Sequence, residues 1–232
     1  MIIIVGVFLM NKNNKMLFLQ LNELNFDYVA EYINNGLNIP GFKEILKWKN
    51  ATLKSEKSYK LLEPWIQWAS IHSGLEFKDH KIFRLGDAIT QQQNNIFELI
   101  EDNGYSVGAI SPMNVANRLL KPKFFIPDPW TNTKSDNSWI SKFVHKATHQ
   151  LVNDNASGKM KLTNILRIMS VSFVLLTFSD IFKIFLYFLK AISGKKWYKV
   201  LAFDFFLCKV FIKLKKVYNP DFSVLFLNGC AH

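Results

Sequence analysis

The chain has 232 residues, 49% of them hydrophobic, which excludes an intrinsically disordered polymer and permits one domain with a sizeable core. Its net charge of +11 favours anionic partners, and an aromatic content of 15%, led by 21 Phe, predicts a bulky core with apolar surface left over. No zinc finger, helix-turn-helix or RNA-binding aromatic motif occurs, so nucleic acid is not an expected partner.

Residues 1–10 are apolar and are followed by Asn-Lys-Asn-Asn-Lys. They lack a charged leader and a small-residue cleavage site and are too short to span a bilayer, so no secretory signal is expected. Met16 is an alternative start, because residues 16–22 (MLFLQLN) read as a short buried strand. Phe26, Val29, Ala30 and Ile33 have helical spacing, and Asn34-Asn35-Gly36 ends that helix. Pro40-Gly41 makes a turn before a short helix over 42–48. Residues 65–73 form an aromatic-rich apolar segment that stops at Ser73-Gly74.

Residues 94–103 predict an amphipathic helix, Gly104 its cap and 105–110 a strand, half of a βαβ unit. Residues 124–130 (FFIPDPW) are expected to be extended, because each proline disfavours helix at and before itself. Residues 131–160 read as a polar loop. Residues 162–192 read as a helical hairpin, buried or lying on a surface, since the uninterrupted apolar run has only 12 residues from 168 to 179. A further amphipathic helix covers 203–217, broken by Asn219-Pro220-Asp221, and Phe222–Leu227 is an apolar strand of the kind found inside a parallel sheet. The expected fold class is therefore α/β, a mostly parallel sheet with helices on both faces and a helical insertion at about 160–200.

Residues 190–216 carry eight lysines against one acid, Asp204, interleaved with Phe, Leu and Trp. Such a pattern suits a solvated helix face or a membrane surface. Cys208 and Cys230 are too few for a disulfide scaffold, match no zinc spacing and are expected to be buried thiols of a reducing compartment.

Three places carry chemistry. The segment Asn22-Glu23-Leu24-Asn25-Phe26-Asp27 follows the first strand, where open α/β sheets place ligand groups; its Asn and Asp are also ordinary helix caps. Residues 63–74 (EPWIQWASIHSG), with Asp79-His80 and residues 83–87, hold His72 as a possible base and Ser70 or Ser73 as a nucleophile, with no acid placed to complete a triad. The end of the last strand leads into Asn228-Gly229-Cys230-Ala231-His232, in which Asn228 and His232 are spaced to share one metal ion or form a frayed tail.

Together these places resemble the alkaline phosphatase superfamily, in its phosphodiesterase and phosphoglycerate-mutase-like branch. WASIHSGLEFKDHKIF resembles the segment that closes with Thr-Gly and His-Gly, here Ser73-Gly74 and His80-Lys81. IFELIEDNGYSVGAI resembles the following helix, glycine and strand, and PDFSVLFLNGCAH the strand ending in Asp-x-x-x-His, with Asn228 and His232 at the two ligand positions. The resemblance is to an uncharacterised bacterial subgroup linked to polysaccharide synthesis. It implies a metal-dependent phosphoryl- or sulfuryl-ester hydrolase or transferase, with zinc or manganese in a full-length relative and a phosphate or sulfate ester as substrate. The metal residues it implies are Glu23 (or Asn22), Asn228 and His232, converging near residues 63–70.

The departures are specific. The nucleophile position falls at Pro64, beside Glu63; Asn228 replaces an acid; and the family's later Asp-His pair and further His would lie beyond His232. The expectation is thus an incomplete, inactive relative. The alternative is a non-catalytic membrane-peripheral protein of envelope polysaccharide assembly. In both readings the expected location is the cytoplasm or its membrane surface.

Overall fold

The computed structural model describes residues 2–3, 15–49, 51–52, 56–90, 92, 94–153, 161–195 and 197–231. A two-residue antiparallel ladder joins β1 (Ile2–Ile3) to β3 (Ala51–Thr52). The central sheet contains β2 (Met16–Leu21), β4 (Val107–Ile110), β5 (Phe124–Ile126) and β6 (Phe222–Leu227) in the order β2-β6-β4-β5, all parallel. The expected α/β class is correct, and the strand expected to sit inside the sheet does so: β6 pairs with β2 on one side and β4 on the other.

Side chains alternate across the sheet as the two-residue period requires. Phe222, Val224 and Phe226 pack on one face with Val107, Ala109 and Phe125. That face is covered by Trp68 of α3 (Pro64–Ser73) and Phe97 of α5 (Ile96–Asp102). Leu225, Ile110, Phe124 and Ile126 face the opposite way. They meet Val144 of α6 (Trp139–Asn153), Val171 of α7 (Leu162–Leu175) and Phe206, Leu207, Val210, Phe211 and Leu214 of α9 (Tyr198–Tyr218). Apart from the buried Ser223, the last strand is apolar, because helices cover both of its faces.

Local signals account for the ends of the elements. Asn25 caps α1 (Phe26–Asn34) by accepting from the Asp27 and Tyr28 amides. Asn95 and Glu98 form a capping box on α5. Pro64 opens α3, and Gly74, at φ +71°, closes it in the left-handed conformation that glycine adopts without strain. Helix α2 (Pro40–Ile45) includes Pro40-Gly41, expected to be a turn before a helix over 42–48, because proline is favoured at the first helical position; α4 (Phe77–His80) is a single turn.

A longer segment also departs from expectation. Residues 131–160 are not all loop, because α6 runs through Trp139–Asn153. Ile140, Phe143, Val144, Ala147 and Leu151 repeat at helical spacing, and Val144 and Ala147 are buried. Of the polar residues between them, Lys142 and Lys146 are exposed as on the outer face of an amphipathic helix, whereas Ser141 and Thr148 are buried and donate to Asp136 and to the His145 carbonyl.

The helical hairpin at 162–192 is present as α7 and α8 (Phe178–Ile192), joined at Leu176-Thr177. It forms an outer layer: α9 packs on the sheet, and α8 packs on α9. The Lys209 ammonium sits 2.8 Å from the Asp180 carboxylate and locks these two helices together. Hydrogen bonding from Lys209 holds the Asp180 pKa well below the usual carboxylate range.

Gly108 marks the tightest packing in the sheet. A β-carbon there would lie 2.5 Å from the Phe124 ring and 2.9 Å from Pro220. Gly108→Ala is therefore expected to destabilise the fold by about 1–3 kcal/mol, an overpacking cost measurable as a lower urea midpoint. An unchanged midpoint would show that β4 and β5 can separate without penalty.

Candidate functional site

The strands of a parallel sheet deliver the residues after them to one edge. Here that edge collects Asn22 after β2, Ser111 and Asn114 after β4, Asp128 after β5 and Asn228 after β6. Asn22 is buried, and its Nδ2 donates to Asn228 Oδ1 at 2.8 Å while its Oδ1 accepts from Trp68 Nε1 at 3.0 Å. Thus the first and last strands, 206 positions apart, meet through a pair of neutral amides.

Glu23 stands at the same edge but is exposed, with a left-handed backbone at φ +55°. The residue in contact with Asn228 is Asn22, not Glu23. Leu21 pairs with Leu227, so the chains on either side leave the sheet at matched heights. Of the three residues expected to converge, Glu23 and Asn228 follow paired strands out of the sheet, and His232 lies outside the described residues.

Behind Asn228, the Asp204 carboxylate of α9 accepts from the Asn228 amide at 3.3 Å and the Gly229 amide at 2.6 Å. A β-carbon on Gly229 would lie 2.7 Å from Asp204 Oδ2, so glycine admits this approach. Helix α9 therefore fixes the turn after β6.

Sequence reasoning missed the other end of this edge. Asp128 is fully buried and accepts from the amides of Asn114, Trp130 and Thr131 and from the Thr131 hydroxyl. Burial raises its pKa, and these four donors oppose that shift. Asn114, with φ +55°, holds Gly86 N, Trp65 O and Arg84 O. The available signal was Asp-Pro-Trp-Thr, whose Asp and Thr are turn-forming residues.

The serine and histidine residues do not form a nucleophile–base pair. His72 is buried, stacked on Trp68 with ring centres 5.9 Å apart, and its Nε2 contacts the Gln20 amide nitrogen at 2.6 Å. Burial lowers its pKa to about 3. Ser73 donates to Ala69 O and accepts from the Leu75 amide, as a helix-end serine does.

Ser70 meets His80 at 2.9 Å, but the tautomer is wrong for activation. The Ile82 amide donates to His80 Nδ1, so the ring proton resides on Nε2 and is given to Ser70 Oγ. A base would have to accept from Ser70 instead. Burial lowers the His80 pKa, keeping this neutral form.

Pro64, at the expected nucleophile position, carries no hydroxyl. It borders a cleft of about 380 Å³ lined by Tyr59, Lys60, Glu63, Trp65, Phe83 and Arg84. Asn114 anchors the backbone of two of these residues.

The described residues at this edge do not fit a dication. Asn22 and Asn228 bond to each other, Asp128 is saturated by four donors, and only Glu23 carries an available charge. Among the described residues no group of three or more His, Cys, Asp or Glu side chains is placed to hold a metal. Cys208 is half-buried and Cys230 is exposed, so only the first approaches the expectation of buried thiols.

In comparisons with known proteins the chain matches no family model, no curated protein and no solved structure. The alkaline phosphatase resemblance therefore rests on the quoted motifs.

Proposed function

We propose that this chain works on the surface of an anionic bilayer, as a non-catalytic membrane-peripheral protein. One observation carries this reading: the outer helices expose long apolar stripes. On α8, Phe178, Phe182, Phe185, Leu189 and Ile192 recur at helical spacing, with Phe178 86% and Ile192 80% exposed. On α7, Leu162, Ile165, Leu166, Met169 and Phe173 do the same. At the elbow between these helices Phe173, Val174 and Phe178 are all exposed. Apolar rows of this extent mark an interaction surface rather than scattered exposed residues.

Charge selects the partner. Residues 161–216 contain eleven Lys or Arg and two acids. Both acids are engaged inside the protein, Asp180 by Lys209 and Asp204 by the Asn228 and Gly229 amides. The remaining charge is positive, and lysines reach to lipid phosphates while apolar neighbours enter the acyl boundary. Among the described residues no helix is long and apolar enough to cross a membrane. The bilayer surface is also where envelope polysaccharide assembly, the setting the resemblance implies, would take place.

Wild-type protein should co-sediment with vesicles containing anionic lipid and be released at high salt, where the Debye length falls to about 3 Å. Phe178→Glu with Phe182→Glu should weaken binding about tenfold or more, since two aromatic side chains lose their apolar burial. Failure to bind sinks the proposal. Binding that survives high salt and alkaline washing contradicts its peripheral character.

A second reading is favoured by the meeting of Asn22 and Asn228 at the C-terminal edge: descent from metal-dependent phosphoryl- or sulfuryl-ester hydrolases, with activity lost. No reaction step follows from the residues present. Turnover of an aryl phosphate or sulfate by this chain, in zinc or manganese, would overturn the loss of activity and the non-catalytic reading with it.

A further inference from the structure

The two lateral edges of the central sheet are finished differently. At the β5 edge the chain covers itself: Phe125, whose backbone points away from β4, donates its N–H to Asp136 Oδ2 at 2.5 Å and accepts the Asp136 amide at 3.0 Å. The β2 edge has no such cover. The Met16 and Asn22 amides donate to the carbonyls of Asp221 and Leu227 along β6, at 2.8 and 3.0 Å, which sets the phase of that ladder. Backbone groups alternate in direction along a strand. The even-numbered residues therefore bond to β6, and Leu17, Leu19 and Leu21 turn their N–H and C=O away from the sheet. Among the described residues these groups meet no partner, and no strand pairs with β2 on that side. Leu17 is 48% exposed, and β2 contains no charge, proline or bulge, the usual guards of an open edge.

We propose that the β2 edge joins two copies of this chain, which pair antiparallel through β2 and form one continuous sheet. The edge is complementary to itself. A twofold axis at Leu19 sets Leu19 against Leu19 and Leu17 against Leu21, and each such pair exchanges both N–H···O bonds. The same register brings Lys15, before the strand in one copy, to Glu23, after the strand in the other, at both ends of the ladder. Both residues are exposed. The Lys15 ammonium holds the Asn219 carbonyl and keeps further donors, and the Glu23 carboxylate is unengaged. An opposite charge waiting at each end selects a second copy over an apolar strand that lacks them. The leucine side chains share the α9 face, where Leu19 already packs, so pairing covers the exposed Leu17 with Leu21 of the second copy. An axis normal to the sheet also turns the α7–α8 layers of both copies to the same side. Pairing itself requires no membrane.

The test is sedimentation equilibrium of the whole chain without lipid, with amide exchange followed by NMR. A monomer–dimer equilibrium should appear. Exchange at Leu17, Leu19 and Leu21 should slow about tenfold or more as the protein is concentrated, while Phe18 and Gln20, bonded to β6, stay protected at every dilution. Leu17→Pro removes an outward N–H, which an edge position tolerates, and should weaken the dimer about tenfold or more. Leu17→Lys alters no backbone group and should act in the same direction. Glu23→Lys should weaken the dimer, and adding Lys15→Glu should restore it. Phe178→Glu with Phe182→Glu should leave it unchanged. The wild-type exchange pattern decides the matter even where a variant folds poorly. The proposal falls if the chain is monomeric at NMR concentrations, if the three outward amides are protected at every dilution, or if the helix variants and not the β2 variants abolish the dimer.

Discussion

Asp128→Ala is expected to lower stability by about 3–5 kcal/mol, the cost of leaving several buried donors without their acceptor. The carboxylate is completely buried and takes four donors from three residues. Alanine leaves the Asn114, Trp130 and Thr131 amides and the Thr131 hydroxyl without their acceptor in a site closed to water. Each unsatisfied donor costs about 1–3 kcal/mol before relaxation. The damage should also travel. Asn114 is positioned by Asp128 and in turn holds Gly86, Trp65 and Arg84, so the walls of the 380 Å³ cleft depend on one carboxylate. Asp128→Asn keeps an acceptor oxygen but turns an NH₂ toward donors, and should cost less than alanine. Urea denaturation gives the stability, and amide exchange at Gly86 and Asn114 reports the loosening. A loss below about 1 kcal/mol in the alanine variant would mean that water or rearranged backbone replaces the carboxylate.

The sheet was legible because its signals are local. Phe222–Leu227 has no polar face, which only a strand covered on both sides tolerates, and it lies between two neighbours. Parallel strands bring their following residues to one edge, so the approach of residues 22–23 to residue 228 also followed from the order of elements. Finer placement did not follow. Side chains alternate along β2, but the positive φ at Glu23 breaks the alternation, turning the acid outward and leaving Asn22 to face Asn228. The histidine roles were hidden for a different reason. His72 depends on Gln20, 52 residues away, and His80 on the local backbone path that brings the Ile82 amide to Nδ1 and Ser70 to Nε2, which fixes the tautomer. No spacing rule encodes such a choice. Helix α6 was obscured by its many polar residues, of which Ser141 and Thr148 are buried, although Ile140, Phe143, Val144, Ala147 and Leu151 recur at helical spacing.

Acidification from pH 7 to pH 5 is expected to remove about 2 kcal/mol of stability through His72 alone. Trp68, Phe18 and Phe97 surround the ring, which is 3% exposed. Its Nε2 meets the Gln20 amide, and both Gln20 Oε1 and His72 Nδ1 are buried without partners among the described residues. An imidazolium would bring a charge into this aromatic pocket with no carboxylate to balance it, and burial accordingly pushes the folded pKa from 6.5 down to about 3. The direction of the effect follows from which state takes the proton. Above pH 6.5 neither state is protonated and the folded form keeps its full stability. Between 6.5 and 3 the unfolded chain binds a proton that the folded chain refuses, so stability falls by about 1.36 kcal/mol per pH unit. His80, lowered by burial, acts in the same direction, whereas Asp128, raised by burial, opposes it. His72→Gln isolates the term. Glutamine carries its amide to the position of Nε2, within reach of Gln20, but does not titrate, so the variant should start less stable at pH 7 for want of its aromatic contacts and lose stability less steeply with acid. The gap between the two urea-derived curves should close by about 2 kcal/mol on reaching pH 5. Parallel curves would show that His72 accepts a proton in the folded state, and that its pocket opens to water under acid.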